Sequence, residues 1–145
     1  MAAILGYYDA MPTVAIVGAS TKPERASHQA VTGYLAQGWT VWPINPLGEA
    51  VAGAPGFTSL AALPGRPDII TLYVNPTLGA SLLDLIVAAM PTQLWLNPGA
   101  DDPTLAANAR AQGLEVIEAC TLVALRYGNP LEVAKRVPRR HETGT

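Results

Sequence analysis

Thr13-Val-Ala-Ile-Val-Gly-Ala-Ser-Thr-Lys-Pro-Glu-Arg25 is the stretch whose reading decides the fold. Thr13 to Val17 is a β-branched apolar run, the composition of a strand covered on both faces, and Gly18 ends it where the chain has to turn. A helical pattern begins at about Ala26. Strand, small-residue turn and helix N-terminus in succession leave backbone N–H groups unpaired and aim the positive end of a helix dipole past the strand, which suits a phosphate. Ser20 and Thr21 add hydroxyls, Lys22 and Arg25 add cations, and Pro23 and Ala19 complete the turn. The same residues also make an ordinary tight βα turn, so the turn alone assigns no ligand.

Outward from that stretch the pattern repeats. Val31, Tyr34 and Leu35 share one face of the first helix, which Gly38 closes. Trp39 to Ile44 reads as a second strand, ended by Asn45-Pro46 and a Gly/Pro/Ala-rich loop, Leu47 to Gly56, with little regular structure. Ser59 to Leu63 suits one helical turn. Asp68 to Val74 is the third strand, and Asn75-Pro76 supplies N-cap and N1 of a long helix with Leu78, Leu82, Leu85, Ile86 and Ala89 on one face. Gln93 to Leu96 is the fourth strand. Asp102-Pro103 opens another helix with Leu105, Ala106 and Ala109 inward, and Gly113 closes it. Leu114 to Ile117 is the last strand, followed by Ala119-Cys120 and a short helix through Arg126. Ala2 to Ala10 is expected to form a short leading helix, and residues 129–145 a polar, basic tail after a domain of residues 1–128.

Short parallel strands alternating with helices need right-handed crossovers. The expected fold is therefore α/β, a Rossmann-like doubly wound sheet of about five strands with helices on both faces. In such a sheet ligands bind outside the carboxyl ends of the strands, where the strand order reverses. The segments there are Gly18 to Arg25, Asn45 to Ala50, Val74 to Thr77, Asn97 to Ala100 and Ala119 to Thr121. Three of them carry an Asn-Pro pair, Asn45-Pro46, Asn75-Pro76 and Asn97-Pro98, either as strand-end punctuation or as a ligand rim.

Composition narrows the classes. Half of the 145 residues are hydrophobic and 14% are charged, the balance of a compact single domain with a proper core. A net charge of −2 leaves no positive excess with which to release counterions from a nucleic acid. One cysteine rules out an internal disulfide and a cysteine-cluster metal site, and an intracellular, cytoplasmic protein is the simpler reading. Met1 to Met11 lacks a basic n-region and holds Asp9, unlike a signal peptide, and no apolar run reaches the ~18 residues of a membrane span.

The nucleotide is narrowed by what the turn lacks. A dinucleotide fold shows G-x-G-x-x-G and an acid at the tip of the second strand. Here Gly18-Ala19-Ser20 has neither later glycine, and Ile44-Asn45-Pro46 has no carboxylate before Glu49, which disfavours NAD. NADP has no basic residue at that tip, and the Walker A pattern is missing.

Val14-Ala-Ile-Val-Gly-Ala-Ser20, Lys22-Pro-Glu-Arg25, Gly38-Trp-Thr-Val41, Ile44-Asn-Pro46 and Trp95-Leu-x-x-Gly99 resemble the small stand-alone CoA-binding domain proteins. These are similar in turn to the N-terminal CoA-binding domain of the succinyl-CoA synthetase alpha subunit. The resemblance runs from about Ala3 to Arg126. It implies that Gly18 to Arg25 hold the diphosphate of coenzyme A, that Asn45 and Pro46 lie by the adenosine, and that Val74, Asn75, Pro76, Leu96, Asn97 and Gly99 line the rest of the cleft. Cys120 matches a cysteine that these proteins often carry after the last strand. The chain departs from the family at Leu47 and Ala119, where basic residues are common, and at Asn97, where glutamine is usual.

The resemblance implies a binding module, since the synthetase reaction needs a phosphorylated histidine from a further domain and an ATP-binding partner subunit. No Ser/His/Asp set, metal spacing or carboxylate pair projects from the strand tips, so no catalytic or metal-ligating residue is expected. His28 lies just past the turn, as a phosphate donor or as a cap, and Asp101-Asp102 serves a helix start. Cys120 is either a thiol facing the ligand or a small buried hydrophobe. The expected function is CoA or acyl-CoA binding. The alternatives are a nicotinamide nucleotide-dependent reductase and an interaction subunit with a degenerate cleft. A homodimer through Tyr7, Tyr8 and the Lys135 to Arg140 segment stays open.

Overall fold

The computed structural model describes residues 12–134. The leading helix expected at residues 2–10, the aromatics Tyr7 and Tyr8 and the basic segment from Lys135 lie outside them. β1 (Thr13–Val17), β2 (Thr40–Ile44), β3 (Ile69–Leu72), β4 (Gln93–Leu96) and β5 (Glu115–Ile117) form one sheet in the order β2-β1-β3-β4-β5, with every pairing parallel. This is the doubly wound sheet expected from the alternation of strand and helix. The order reverses between β1 and β3, which fixes the switch point.

Between the strands run α1 (Ala26–Ala36), a 3₁₀ turn (Leu60–Ala62), α2 (Pro76–Ser81), α3 (Leu83–Ala89), α4 (Pro103–Ala111), α5 (Thr121–Tyr127) and α6 (Pro130–Val133). Because successive strand residues point to opposite faces, β1 divides its side chains between two cores. Val14 and Ile16 pack with Tyr34, Trp39, Trp95, Ile117 and Ala124 under α1 and α5. Ala15 and Val17 pack with Ile70, Leu72, Ile86, Leu94 and Leu105 under α3 and α4. Burying each large aliphatic side chain of these layers contributes about 1.5–3 kcal/mol, and that burial dictates which residues can occupy the strands. At the amino edge Asp68 joins strands: its carboxylate accepts from Thr13 N–H at 2.8 Å and its carbonyl from Thr92 N–H at 2.8 Å.

Two elements differ from the sequence reading. The long helix after Asn75 is two short ones, α2 and α3, meeting at Leu82, whose N–H is shared between the Leu78 and Gly79 carbonyls. Each half turns different residues inward: Ile86 is wholly buried, while Leu78 and Leu85 are 45% and 38% exposed. Beyond Gly128, residues that the sequence reading gave to the tail form α6, with Asn129 capping the Leu131 N–H and Val133 and Ala134 joining the core. The Leu47 to Gly56 loop is closed by a bridge between Val51 and Ala54, both buried.

Candidate functional site

Gly18 has φ +86°, and a Cβ there would stand 2.7 Å from the Tyr73 carbonyl oxygen. A side chain would be strained by the backbone and blocked by β3. Above this contact the sheet parts at its switch point, and two clefts open that share Gly18 as a wall.

The first, about 270 Å³, lies over the start of α1 and is lined by Gly18, Ser20, Arg25, Ala26, Ser27 and Tyr73. Arg25 occupies the N-cap position without a side-chain capping bond, and the first turn of α1 contains no acid. The Ala26, Ser27 and His28 N–H groups have no hydrogen-bond partner among the described residues. Free helix donors, the dipole and an exposed guanidinium thus converge on one cleft, which favours an anion there.

The turn itself is internally braced. Gly18 and Ala19 N–H both donate to the Ile44 carbonyl, at 2.9 and 3.0 Å, and Ser20 N–H donates to Ser27 Oγ at 3.0 Å. Lys22 N–H donates to Ser20 Oγ, and His28 Nδ1 donates to the Ser20 carbonyl at 2.9 Å, so His28 caps the turn. The N–H groups of Gly18, Ala19 and Ser20 are thus all spent, and the free backbone donors facing the cleft are those of the first turn of α1. That division depends on where the β2 carbonyl sits, which no local pattern records.

The second cleft, about 340 Å³, lies at the tips of β1, β2 and β3 and is largely apolar. Val17, Ile44, Pro46, Leu60, Val74, Leu78 and Leu82 line it together with Gly18, Asn45, Thr58 and Ser59. The break at Leu82 and the 3₁₀ turn at Leu60 build its far wall, which is why reading one straight helix from Asn75 missed that wall.

The three Asn-Pro asparagines all have structural work. Asn45 clasps Glu49, donating to its carbonyl at 3.0 Å and accepting from its N–H at 2.7 Å. Asn75 caps α2 through the Leu78 N–H. Asn97, 1% exposed, donates to Thr71 Oγ1 at 2.6 Å and the Leu72 carbonyl at 2.9 Å, and accepts from the Thr121 N–H at 2.8 Å. Asn97, Leu96 and Ala19, at 4% exposure or less, are buried and line neither cleft.

Of the other candidates, Ser20, Arg25, Pro46 and Val74 reach a cleft with Gly18. Thr21, Lys22, Pro23, Asn75 and Gly99 are exposed, and Pro76 half-buried, on the surrounding rim. Cys120 is a half-buried free thiol at the start of α5. Next to it stands Tyr73, which sequence reasoning treated only as a strand residue. It lines the first cleft, and the hydroxyl of the fully buried Tyr34 has no hydrogen-bond partner among the described residues. Burial raises the pKa of both phenols far above the usual 10.0. The charge of Tyr73 adds to the rise at Tyr34; at Tyr73 the Thr121 hydroxyl opposes the rise and the Cys120 thiol adds to it.

Among the described residues no cluster of His, Cys, Asp and Glu could hold a metal ion, and no helix is long and apolar enough to cross a membrane.

Strand order and helix placement define a Rossmann-like α/β domain with two adjoining clefts at the carboxyl edge of its sheet. The CoA binding domain model matches residues 12–126, and the chain belongs to that family. The uncharacterized protein YneT of Bacillus subtilis (strain 168) is 30% identical over 60 residues, 41% of this chain and 44% of that protein, so the match spans less than half of its length. A Thermus thermophilus protein (cell-free ID.343) superposes with a TM-score of 0.75 at 26% identity, over 87% of this chain and 96% of its own. An acetyl-coenzyme A synthetase of Ca. Korarchaeum cryptofilum, in complex with phosphate and ADP, shares the fold at a TM-score of 0.64 and 22% identity. That likeness covers 72% of this chain and 25% of the synthetase.

Proposed function

We propose that this chain is a non-catalytic CoA or acyl-CoA binding module that works in the cytoplasm. The diphosphate lies over the first turn of α1 beside Arg25 and Ser20. The adenosine occupies the apolar cleft at Asn45-Pro46, and the pantetheine arm runs out along Val74 to Pro76. The observation that carries this reading is the meeting of the two clefts at Gly18: uncapped helix donors and a cation on one side, an apolar slot on the other. Membership of the CoA-binding domain family supports the same ligand class.

Thermal unfolding with CoA, acetyl-CoA, NAD and NADP in parallel tests it. A ligand at ~100 times its Kd should stabilise the fold by about 2.7 kcal/mol. Stabilisation by CoA or acetyl-CoA alone is the expected result. A response to NAD or NADP without CoA would favour the reductase, and no response to any of the four would favour an interaction subunit.

A further inference from the structure

We infer that the apolar cleft receives an adenosine whose ribose 3′-position is not recognised as a phosphate, so that the chain binds a ligand bearing adenosine 5′-diphosphate whether or not a 3′-phosphate is attached. This rests on the CoA-type reading of the site and deepens it.

The lip of this cleft is the loop from Asn45 to Leu60, which also carries Thr58 and Ser59 into the lining. Its single charged residue is Glu49. Asn45 holds the Glu49 backbone from both sides, at 2.7 and 3.0 Å, and so ties that acidic residue to the strand tip. These bonds use the Asn45 oxygen and one of its two amide N–H donors. Leu47, 79% exposed, follows the lining residue Pro46 directly in the chain.

The cations of the described chain stand elsewhere. Lys22 and Arg25 belong to the turn before α1. Arg66 donates to the Met90 carbonyl and Thr92 Oγ1, Arg110 pairs with Glu118 at 3.2 Å, and Arg126 lies in the last turn of α5.

A phosphate monoester carries about −1.5 to −2 charges and is recognised through charge-assisted donors. In this cleft it would meet a lining without a charged side chain, with Glu49 and the exposed Leu47 on the adjoining loop. A neutral ribose edge and an adenine face, by contrast, match apolar walls with a few hydroxyls, and covering Leu47 removes apolar surface from water. The two clefts thus divide the ligand into a charged half read at α1 and an uncharged half read at β2.

Calorimetric titration of the full chain with CoA and with dephospho-CoA at low salt tests the inference, repeated on Leu47→Lys. The two ligands should bind the natural chain with affinities within about threefold of each other. Leu47→Lys should favour CoA over dephospho-CoA by about tenfold, the usual worth of one charge-assisted contact. Leu47 is exposed, so the substitution leaves the core intact. CoA binding at least tenfold tighter than dephospho-CoA to the natural chain would overturn the inference and leave the CoA reading standing. A Leu47→Lys variant with unchanged preference would remove the adenosine from this lip and overturn it too. If neither ligand binds the natural chain, the CoA reading fails first and takes the inference with it.

Discussion

The two clefts that share Gly18 differ in how their chemistry is supplied. The cleft over α1 draws on backbone N–H groups and Arg25, while the cleft at β2 draws on side-chain bulk from five separate segments. One is polar because a helix begins there, and the other is apolar because loops and helix ends collapse over strand tips. The comparison teaches that a short stretch of sequence can encode a set of free helix donors beside a cation, whereas an apolar slot exists only once distant segments are packed.

The largest expected effect breaks both clefts together. Gly18→Val places a side chain against the Tyr73 carbonyl at φ +86° and should cost about 3 kcal/mol or more in denaturant unfolding, with all ligand binding lost. A variant of natural stability would show that the shared wall is not rigid. Asn97→Ala separates scaffold from cleft. It strands a buried Thr121 N–H and the Leu72 carbonyl, so stability should fall by about 2–4 kcal/mol. Arg25→Ala probes the polar cleft alone: CoA should bind more weakly by roughly 1.5–3 kcal/mol with the unfolding temperature of the free protein unchanged, while Arg110→Ala should leave binding intact. Equal effects in a titration of both variants would dissolve the distinction between the clefts.

The smallest expected effect concerns Tyr73, which lines the polar cleft, and Tyr34 in the core. Their folded pKa values are raised, so the unfolded chain gives up these protons first as pH climbs past about 10.0. Their contribution is fully present below that value. Above it, stability should fall by up to about 1.4 kcal/mol per pH unit for each tyrosine, until the folded phenols also ionise. Tyr34→Phe should reduce that alkaline slope and, by deleting a buried hydroxyl without a partner among the described residues, should raise stability at neutral pH by roughly 1 kcal/mol. Urea unfolding at neutral and alkaline pH checks both.

Much of the scaffold was legible in the sequence. β-branched and apolar runs between Gly, Pro and Asn punctuation marked all five strands to within one or two residues, and Asn75-Pro76 and Asp102-Pro103 announced their helices. The same Asx-Pro signal stands at Asn129-Pro130, where α6 begins, and would have extended the folded region had it been applied there. The site was less legible because its decisive facts are non-local. That Asn97 is spent on Thr71, Leu72 and Thr121, and that the Gly18 and Ala19 amides are spent on Ile44, depends on which strands become neighbours. The repeated Asn-Pro pairs read in the sequence either as strand-end punctuation or as a ligand rim. They are three separate fastenings, of which only Asn45-Pro46 lines a cleft.

One of those fastenings bears on the speed of binding. The Asn97 side chain joins β3, β4 and the first turn of α5, three elements that arrive from different parts of the chain. The carboxyl edge is therefore assembled when the protein folds, and a ligand need not recruit or order it. Association should accordingly be a one-step encounter, its observed rate rising in proportion to ligand concentration without a plateau.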